Sequence, residues 1–418
     1  MKVRSIAVLS VVLAGAGVTA QGPQVVDLGG GLYQAVGAGI QGGAAVRVPQ
    51  SNTFLIKTSD GNVIVDTSIA LAARAHKAAL SAVAPGPTRA VVLTHAHGDH
   101  TGGIAVWAET GTRVMAHRLY PEFIDYTNRL AGYFAKSNVA QFGSGAALRP
   151  AAAPAATVPA MVVFDDRYQF EVGDTRFELL HTPGETPDHL TVWIPKLKAA
   201  FVGDNFYESF PNLYTLRGTR PRWALDYVNS LNQVLALEPE LLLPSHGPAI
   251  TGRAEVQRRI TKYRDAIQYV HDATVKGMNE GKDVGTLMKE IALPPALDVG
   301  ESYGKLSWSV RGIYEGYVGW FDSNVSTMFG SASQAYGEVV RLAGGPDAVA
   351  ARALALAATD PLQALYLTDM SLAVDARHGA SLRARVAALK ALDAKSTNSN
   401  ERGWLAAGIR EAEARLKP

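Results

Sequence analysis

Short apolar runs separated by turn residues fill roughly the first 250 residues of the chain, and their spacing predicts strands that alternate with helices. Two runs, at 51–57 and 62–65, flank Ser59-Asp60-Gly61 and predict a β-hairpin. Helices are predicted over 70–84, 102–109 and 223–237. Further strands are predicted at 91–94, 113–116, 161–164, 168–172, 175–180, 190–194, 199–202 and 241–243. Two strand-rich halves that each end in helices predict an α/β sandwich of two sheets with helices outside.

After about residue 253 the apolar positions recur only at helical spacing. Asp360-Pro361 is a helix start signal, and apolar residues follow it at 362, 365, 366 and 370. This pattern predicts a domain of helical hairpins that pack on one another, and a homodimer formed through them. We expect a catalytic domain at 21–255, a helical extension at 256–330 and a helical domain at 331–418. Within the first domain, segment 143–160 is too rich in Gly, Ala and Pro for a packed element and is predicted to be a linker or a lid.

The first twenty residues have the pattern of a secretory signal. Lys2 and Arg4 precede an apolar stretch from Ile6 to Val18 that is too short to span a bilayer, and Val18-Thr19-Ala20 provides a small-residue cleavage site. We expect residues 1–20 to be removed; a retained membrane anchor is the alternative. The chain has no Cys, which excludes disulfides and thiolate metal ligands. Export of such a chain is typical of a bacterial periplasmic or secreted protein.

Composition and charge indicate which kinds of partner the protein binds. With 418 residues, 47% of them hydrophobic and 19% charged, the chain is long enough to bury the cores of two domains. Without Lys2 and Arg4 it carries 38 basic residues against 38 acidic ones. Because no basic run or stripe stands out, we expect no binding to nucleic acid. Stable membrane association after signal cleavage is not expected either.

The densest cluster of chemically active side chains follows the predicted strand at 91–94. Thr94-His-Ala-His-Gly-Asp-His100 places three imidazoles and one carboxylate within six residues. Imidazole nitrogens and carboxylate oxygens are common zinc ligands where no thiolate is present. We expect His95, His97, Asp99 and His100 to point at two adjacent metal centres; a polar loop that happens to be rich in His is the alternative.

Three later segments carry polar residues directly after apolar runs, where strands deliver side chains to one edge of a sheet. They are Thr182-Pro-Gly-Glu185, Gly203-Asp204 and Ser245-His246. His181 and His189 flank Glu185 and are expected to be structural, or to orient ligands, which fits His189 better. The isolated histidines are expected to face solvent: His76, His271 and His378.

The order and context of these motifs resemble the metallo-β-lactamase fold superfamily, in which helices flank two sheets as an αββα sandwich. Many members continue the Thr-Pro-Gly turn with a His that completes the first metal site, and this chain has Glu185 at that position. The resemblance implies a full set of metal ligands: His95, His97 and Glu185 for the first metal, Asp99, His100 and His246 for the second, and Asp204 as the bridge.

Three further segments resemble the alkyl sulfatase branch of that superfamily: Asn212-Leu-Tyr-Thr-Leu-Arg-Gly218, Leu293-Pro-Pro-Ala-Leu297 and Gly319-Trp-Phe-Asp322. That branch uses Glu at the position of Glu185, and its dimerisation domain is similar to the C-terminal helices predicted here. Its members usually bridge their metals with Glu, where this chain has Asp204, and usually carry a further C-terminal lipid-binding-like domain that does not follow in this sequence. A long-chain substrate is therefore not part of the expectation.

Two zinc ions roughly 3.5 to 4 Å apart can hold a hydroxide between them, orient an ester oxygen and lower the pKa of bound water to about 7. Two Zn²⁺ against Glu185, Asp99, Asp204 and one hydroxide give a net charge of zero. We therefore expect a nearby cation to bind the anionic substrate. Arg217 is the candidate, because a guanidinium can grip two sulfate oxygens in parallel.

These residues predict a zinc-dependent hydrolase that releases sulfate from a small anionic ester by attack of zinc-activated water. Asp99 and Arg217 are the expected catalytic residues, and Asn212 and Tyr214 are expected to donate to the same sulfate. Attack at sulfur and attack at carbon both fit. One alternative is another hydrolase of the same fold, acting on a β-lactam, a lactone or a phosphoester. Another is a metal-stabilised dimeric binding protein without turnover, which the intact set of ligands disfavours.

Overall fold

The computed structural model describes residues 22–37, 51–143 and 161–417. The predicted signal peptide at 1–20 lies outside the described residues, as does all of the predicted linker or lid except Gly143. In the part of the chain that is described, no helix combines the length and the apolar character needed to cross a membrane.

Strands form two mixed sheets in the first half of the chain. The strands are β1 Gln24–Gly29, β2 Leu32–Val36, β3 Thr53–Thr58, β4 Gly61–Val65, β5 Thr88–Val92, β6 Arg113–His117, β7 Met161–Phe164, β8 Arg167–Val172, β9 Thr175–His181, β10 Leu190–Ile194, β11 Ala199–Gly203, β12 Leu241–Pro244 and β13 Ile250–Thr251. The first sheet has the order β1-β2-β3-β4-β5-β6-β7, and the second has the order β13-β12-β11-β10-β9-β8. Pairing is parallel from β4 to β7 and between β11 and β12.

Helices cover both outer faces of the sheets and form the second half of the chain. They are α1 Ala70–Val83, α2 Gly98–Thr101, α3 Ile104–Trp107, α4 Tyr120–Arg129, α5 Ala131–Phe142, α6 Ala224–Ala236, α7 Arg253–Asn279, α8 Val284–Glu290, α9 Leu306–Val318, α10 Tyr336–Leu342, α11 Pro346–Leu356, α12 Pro361–Val374, α13 Gly379–Lys395 and α14 Ser399–Arg415. Asp360 caps α12 by accepting a hydrogen bond from Gln363 N (3.1 Å), as its place before a Pro predicts.

Three hydrophobic cores define the layers of the sandwich. One lies between the two sheets and joins Phe54 and Val92 of the first sheet to Phe201 of the second. Another lies between the first sheet and α1, α3 and α4, around Trp107. The third packs α6, α7, α8 and α9 on the outer face of the second sheet, around Tyr263. This arrangement confirms the predicted αββα sandwich followed by helices.

Strand direction places the polar segments at one end of the sandwich. Val65 of β4 pairs with Val92 of the parallel strand β5, so Asp66 and the loop that begins at Leu93 leave neighbouring strands at the same level. In the second sheet, β11 and β12 are likewise parallel and end side by side. Because carboxyl ends of parallel strands share an edge, Asp204 and His246 emerge together.

The hydrophobic pattern of the sequence does not predict α4 and α5. In α5 the buried positions are Phe134, Ser137 and Gln141, so two of the three members of its inward stripe are polar and the apolar periodicity is lost. The helix predicted over 102–109 is present only as the short α3, and a separate short helix, α2, precedes it on the other side of Gly102 and Gly103. A Cβ at Gly103 would overlap Thr67 O, so the backbone at Gly103 packs directly against the backbone at Thr67.

The predicted exposure of His76 and His271 is wrong as well, because both side chains are buried against polar partners, whereas His378 is partly exposed. His76 is buried between Thr53 Oγ1 (2.9 Å) and Gly37 O (2.8 Å). His271 is buried on α7 against the Tyr317 hydroxyl (2.8 Å), and His378 caps α13. Polar partners that come from distant segments leave no trace in a local hydrophobic pattern.

Candidate metal centre

The seven predicted metal ligands meet at the shared edge of the two sheets. Two groups of three residues have ligand atoms within 4.8 Å of one another: His95, His97 and Asp204, and Asp99, His100 and His246. Glu185 lies beside the first group, with Oε1 3.7 Å from His97 Nδ1. The sandwich therefore brings together side chains that are up to 151 residues apart in sequence, from His95 to His246.

The three ligand atoms of the second group and Asp204 Oδ1 have the spacing of a tetrahedral metal site. His100 Nε2 lies 3.6 Å from Asp99 Oδ2 and 3.4 Å from Asp204 Oδ1. His246 Nε2 lies 3.4 Å from both of those carboxylate atoms. A tetrahedral zinc with bonds of about 2.1 Å has ligands about 3.4 Å from one another. The donor set and the four distances given match those of a tetrahedral zinc site.

The first group is arranged around the other oxygen of Asp204. His95 Nε2 lies 2.9 Å from His97 Nδ1 and 3.9 Å from Asp204 Oδ2. Because Oδ1 faces the second group, one carboxylate serves both clusters. Asp204 thus lies between the two clusters and presents one carboxylate oxygen to each.

Two buried atoms at the centre lack hydrogen-bond partners, and both are lone-pair acceptors. His100 Nδ1 donates to Asp66 Oδ2 (2.8 Å), which leaves Nε2 of the neutral ring with a lone pair. That Nε2 and Asp204 Oδ1 are buried and unpaired. Two facing acceptors repel each other unless a proton or a metal cation lies between them, so this point of the structure favours bound positive charge.

Electrostatics at the centre favour bound positive charge. Burial lowers the pKa of His100, but Asp204, Asp66 and Asp99 outweigh burial and raise that pKa well above its usual value. The pKa of His246 is likewise raised to about 10, against its burial, by Asp204 and Asp99. A metal cation would supply the charge that these carboxylates attract and would leave both imidazoles neutral, as ligands must be.

Asp66 is a functional residue that the sequence analysis missed. Its buried carboxylate accepts hydrogen bonds from His100 Nδ1, Thr94 Oγ1 (2.8 Å) and Ser245 Oγ (2.8 Å). It therefore ties together the loops after β4, β5 and β12, and it fixes the ring of His100. Its φ of 56° lies in the left-handed region, which Asp tolerates better than most residues. The signal available in the sequence was an Asp directly after the apolar strand at 62–65.

His189 orients the backbone of the bridging residue. Its Nδ1 donates to Thr182 O (2.9 Å), and its Nε2 accepts a hydrogen bond from Asp204 N (3.2 Å). Burial lowers the pKa of His189 to about 4, so the ring is neutral and can accept. The expected orienting role of His189 matches these contacts, whereas His181 lies elsewhere, bonded to Pro187 O (2.8 Å).

Glu185 is held by a buried ion pair that the sequence analysis also missed. Glu185 Oε2 forms an ion pair with Arg222 Nη1 (2.5 Å) and accepts a hydrogen bond from the Tyr227 hydroxyl (2.8 Å). These contacts occupy Oε2 and leave Oε1 towards His97. Asn205 Oδ1 fixes the same turn by accepting from Glu185 N (2.9 Å). Arg222 is buried beside Glu185 and adds a positive charge that the count of the charge-neutral centre did not include, and the buried Asp66 beside His100 adds a negative one.

The three predicted substrate residues occupy different positions. Arg217 Nη2 lies 3.4 Å from His97 Nε2, at the edge of the centre. Asn212 is buried, and its backbone carbonyl oxygen accepts a hydrogen bond from Arg222 Nη1 (2.8 Å). Tyr214 is partly exposed, and its Cβ packs close to Gly312 of α9. The structure thus brings Arg217 next to the metal ligands, places Asn212 behind them and turns Tyr214 towards α9.

Two families match this chain. Residues 46–246 match the metallo-beta-lactamase superfamily, and residues 284–415 match the alkyl sulfatase dimerisation family. The first match includes all seven candidate ligands, and the second includes α8 to α14. The family matches therefore follow the division between the sandwich and the helices.

Several alkylsulfatases are similar to the chain along most of its length. A linear primary-alkylsulfatase of a Pseudomonas species is 28% identical over 87% of this chain and 74% of its own length. The (R)-specific secondary-alkylsulfatase of Pseudomonas sp. is 27% identical over 72% of this chain and 50% of its own length. Alkyl/aryl-sulfatase BDS1 of Saccharomyces cerevisiae is 27% identical over 64% of this chain and 46% of its own length. The chain thus spans between about half and three quarters of these curated relatives.

A solved structure shares the fold. A double mutant of the sec-alkyl sulfatase PisA1 superposes with a TM-score of 0.84 and 23% sequence identity, over 95% of this chain and 66% of that chain. The superposition includes the sandwich and the helices that follow it, so both halves of the fold occur together in that structure.

Proposed function

Since the chain joins a metallo-beta-lactamase domain to an alkyl sulfatase dimerisation domain, we propose that it is a dizinc hydrolase that releases sulfate from alkyl sulfate esters. The observation that carries the proposal is the position of Arg217, 3.4 Å from His97 at the edge of two ligand clusters that share Asp204. The relatives named as alkylsulfatases support the same substrate class.

The residues that would hold the two metals follow from the atoms that face each cluster: His95 Nε2, His97 Nδ1, Glu185 Oε1 and Asp204 Oδ2 for the first, and Asp99 Oδ2, His100 Nε2, His246 Nε2 and Asp204 Oδ1 for the second. When bound, zinc ions lower the pKa of water and polarise an ester oxygen. Asp99 is buried with Oδ2 3.4 to 3.6 Å from the imidazoles of His100 and His246, and its carboxylate would also hold the attacking water.

Arg217 and His97 together provide the site for the sulfate group. A ligand bond through Nδ1 leaves the proton of His97 on Nε2, so His97 Nε2 and Arg217 Nη2 present N–H donors on the same side of the centre. An anion that accepts from both relieves the repulsion between the two donors. Arg222 adds a buried positive charge behind Glu185, which further favours an anionic substrate.

Metal content and sulfate release test this proposal together. Wild type, Glu185→Ala and Arg217→Ala are assayed on short and long alkyl sulfates and, in parallel, on a β-lactam. We expect about two zinc ions per chain in wild type, less zinc in Glu185→Ala, and a loss of about 100-fold in kcat/KM for Arg217→Ala. Arg220→Ala is the control, since Arg220 pairs with Glu122 at the surface. A wild type that binds two zinc ions and releases no sulfate from any chain length would refute the proposed function.

We also propose that the protein is a homodimer and is exported. The dimer proposal is supported by the match to the dimerisation family and by large apolar side chains exposed on the helical half, such as Phe329 and Leu342. Export is supported by the N-terminal pattern at 1–20 alone. A mature protein whose N-terminal residue is Gln21, recovered from outside the cytoplasm, is the expected result.

A further inference from the structure

We infer that the C-terminal helix α14 holds Arg217 in position through one buried side chain of α5, Gln141. The inference rests on the proposed function insofar as Arg217 binds the sulfate. Gln141 Oε1 accepts from Arg217 N (3.0 Å) and from Trp404 Nε1 (3.2 Å). Its Nε2 donates to Asn400 Oδ1 (2.9 Å) and to Thr215 Oγ1 (3.3 Å). A single amide thus connects the substrate-binding loop to the helical domain.

The partners of Gln141 allow one orientation of its amide. The two groups beside Oε1, Arg217 N–H and the indole N–H of Trp404, can only donate. Reversing the amide would put its NH₂ group against both of them. Asn400 is oriented in turn, because its Nδ2 donates to Tyr303 O (2.9 Å), which leaves Oδ1 to accept from Gln141. The connection is therefore specific, and substitutions by residues of similar size will break it.

The segment that carries Arg217 is a tight turn held by α5 at two points. Gly218 N donates to Thr215 O (2.9 Å), and Gly218 has a φ of 94° in the left-handed region. A Cβ at Gly218 would lie 2.9 Å from Tyr133 Cε1, so Tyr133 packs directly on the turn. Gln141 holds the same turn at Arg217 N. With both contacts in place, the guanidinium reaches His97.

The position of α14 is itself fixed by contacts with α5 and with the segment that precedes α9. Asn398, at the start of α14, donates to the carbonyl oxygens of Glu301, Tyr303 and Gly304 at 2.8 to 3.1 Å. A Cβ at Gly403 would overlap Gln141 O, so α14 contacts the end of α5 backbone to backbone. The helical domain therefore supports the turn that carries Arg217, in addition to its expected part in dimerisation.

The experiment compares Gln141→Met and Trp404→Phe in the full-length, zinc-loaded protein. Both keep the size of the side chain and remove the hydrogen bonds. We expect about a 10-fold rise in KM for an alkyl sulfate, and in Ki for inorganic sulfate, in Gln141→Met, with a smaller rise in Trp404→Phe. Zinc content and kcat are expected to change less. Gln257→Met, at an exposed position on α7, and Trp223→Phe, at an exposed position directly before α6, are the matched controls.

A double mutant shows whether Gln141 acts through Arg217. In an Arg217→Ala background, Gln141→Met is expected to raise KM no further, because the group that it positions is gone. The same rise in KM in both backgrounds, or no rise in the wild-type background, would overturn the inference while leaving the proposed sulfatase activity intact.

Hydrogen exchange decides the inference even if the protein releases no sulfate. The amide of Arg217 donates to Gln141, so peptides that cover 215–218 should exchange faster in Gln141→Met and in Trp404→Phe than in the two control variants. Unchanged exchange in these peptides would show that the contact does not hold the turn. Absence of sulfate release in wild type would refute the proposed function alone.

Discussion

Arg222 holds the Glu185 carboxylate on the side that faces away from the histidines. Arg222→Ala leaves a buried carboxylate without its counter-charge, which typically destabilises a protein by about 3 to 5 kcal/mol. Loss of such an orienting contact typically lowers metal affinity by about 10- to 100-fold. We expect weaker zinc binding and unfolding at lower urea concentration, measured by titration against a competing chelator and by urea denaturation.

Arg220→Ala is the matched control for this substitution. Arg220 lies two residues away and forms an exposed pair with Glu122 (3.0 Å). Exposed pairs contribute about 0 to 1 kcal/mol, so this variant should resemble wild type in both measurements. If Arg222→Ala shows the zinc affinity and stability of the control, the ion pair does not support the metal centre.

Asp66→Asn tests the orientation of His100. Asn tolerates the left-handed backbone at this position and keeps the shape of the side chain, so the fold should persist. The amide is a weaker acceptor for His100 Nδ1 and Ser245 Oγ than the carboxylate is. We expect zinc affinity to fall by about 10- to 100-fold. Competition with a chelator measures it, and Asp60→Asn, at an exposed hairpin turn, should leave affinity unchanged.

The sequence indicated the seven candidate ligands because each lies in a short motif after an apolar strand. The roles of Asp66 and Arg222 could not be predicted, because their partners, His100 and Glu185, are more than thirty residues away and no local pattern links them. An Asp or Arg that acts only through a distant partner looks like any other polar residue in a loop. Their roles became visible only when the sheets brought the loops together.

The ends of β6 and β9 are joined by a stacked pair of histidines. The rings of His117 and His181 lie 3.7 Å apart and nearly parallel, at 8°. His117 accepts from Leu119 N (3.2 Å) and donates to Asp165 O (2.7 Å), as a neutral ring does. Burial and the neighbouring His181 lower the pKa of His117 to about 4. The contact between the two sheets therefore depends on a neutral imidazole.

This pair predicts that acid weakens the sandwich. The folded-state pKa lies below the ordinary value of about 6.5, so the unfolded chain takes up the proton first, and stability falls as pH drops from about 6.5 to 4. The expected loss is about 2 to 3 kcal/mol at pH 4. His117→Phe, which retains an aromatic ring without titrating, should lose less stability over this range.

Urea unfolding at pH 7 and near pH 4.5 measures the effect, with a chelator present so that metal release does not contribute. His378→Asn is the control, because Asn preserves the cap of α13 in the helical domain. Equal acid sensitivity of wild type and His117→Phe would rule out the proposed role of this imidazole.

Elements with a strong apolar period could be predicted to within a few residues, as β10 at 190–194 and α1 at 70–83 show. The two helices that were missed, α4 and α5, bury aromatic and polar residues instead of aliphatic ones. Gln141 illustrates the reason: it faces inward to form hydrogen bonds, and a hydrophobic pattern assigns such a residue to the surface. Helices that transmit hydrogen bonds between domains are therefore the ones that sequence periodicity tends to miss.

At the scale of the whole molecule, the sequence predicted a sandwich followed by helices but not how they contact each other. The contacts of α14 with α5 and with the carbonyl oxygens at 301–304 come from polar residues of low periodic signal. The helical half also leaves large apolar side chains exposed, including Trp320, Phe329 and Leu342. We take these exposed side chains as support for the proposed homodimer.

The exposed apolar side chains predict a homodimer that depends on them. Phe329 and Leu342 are each 77% exposed, so replacing them with Glu costs the fold of one chain little. Burying the new carboxylates at a symmetric interface is strongly unfavourable, because each of the two substitutions occurs twice and four carboxylates are buried. We expect wild type to have the mass of a dimer in light scattering, and the Phe329→Glu, Leu342→Glu double variant to be monomeric at the same concentration. Leu71→Glu, at a 57% exposed leucine on α1, is the control and should remain a dimer. A wild type that is monomeric at every concentration measured would disprove the predicted assembly, and a double variant that stays dimeric would place the interface elsewhere on the chain.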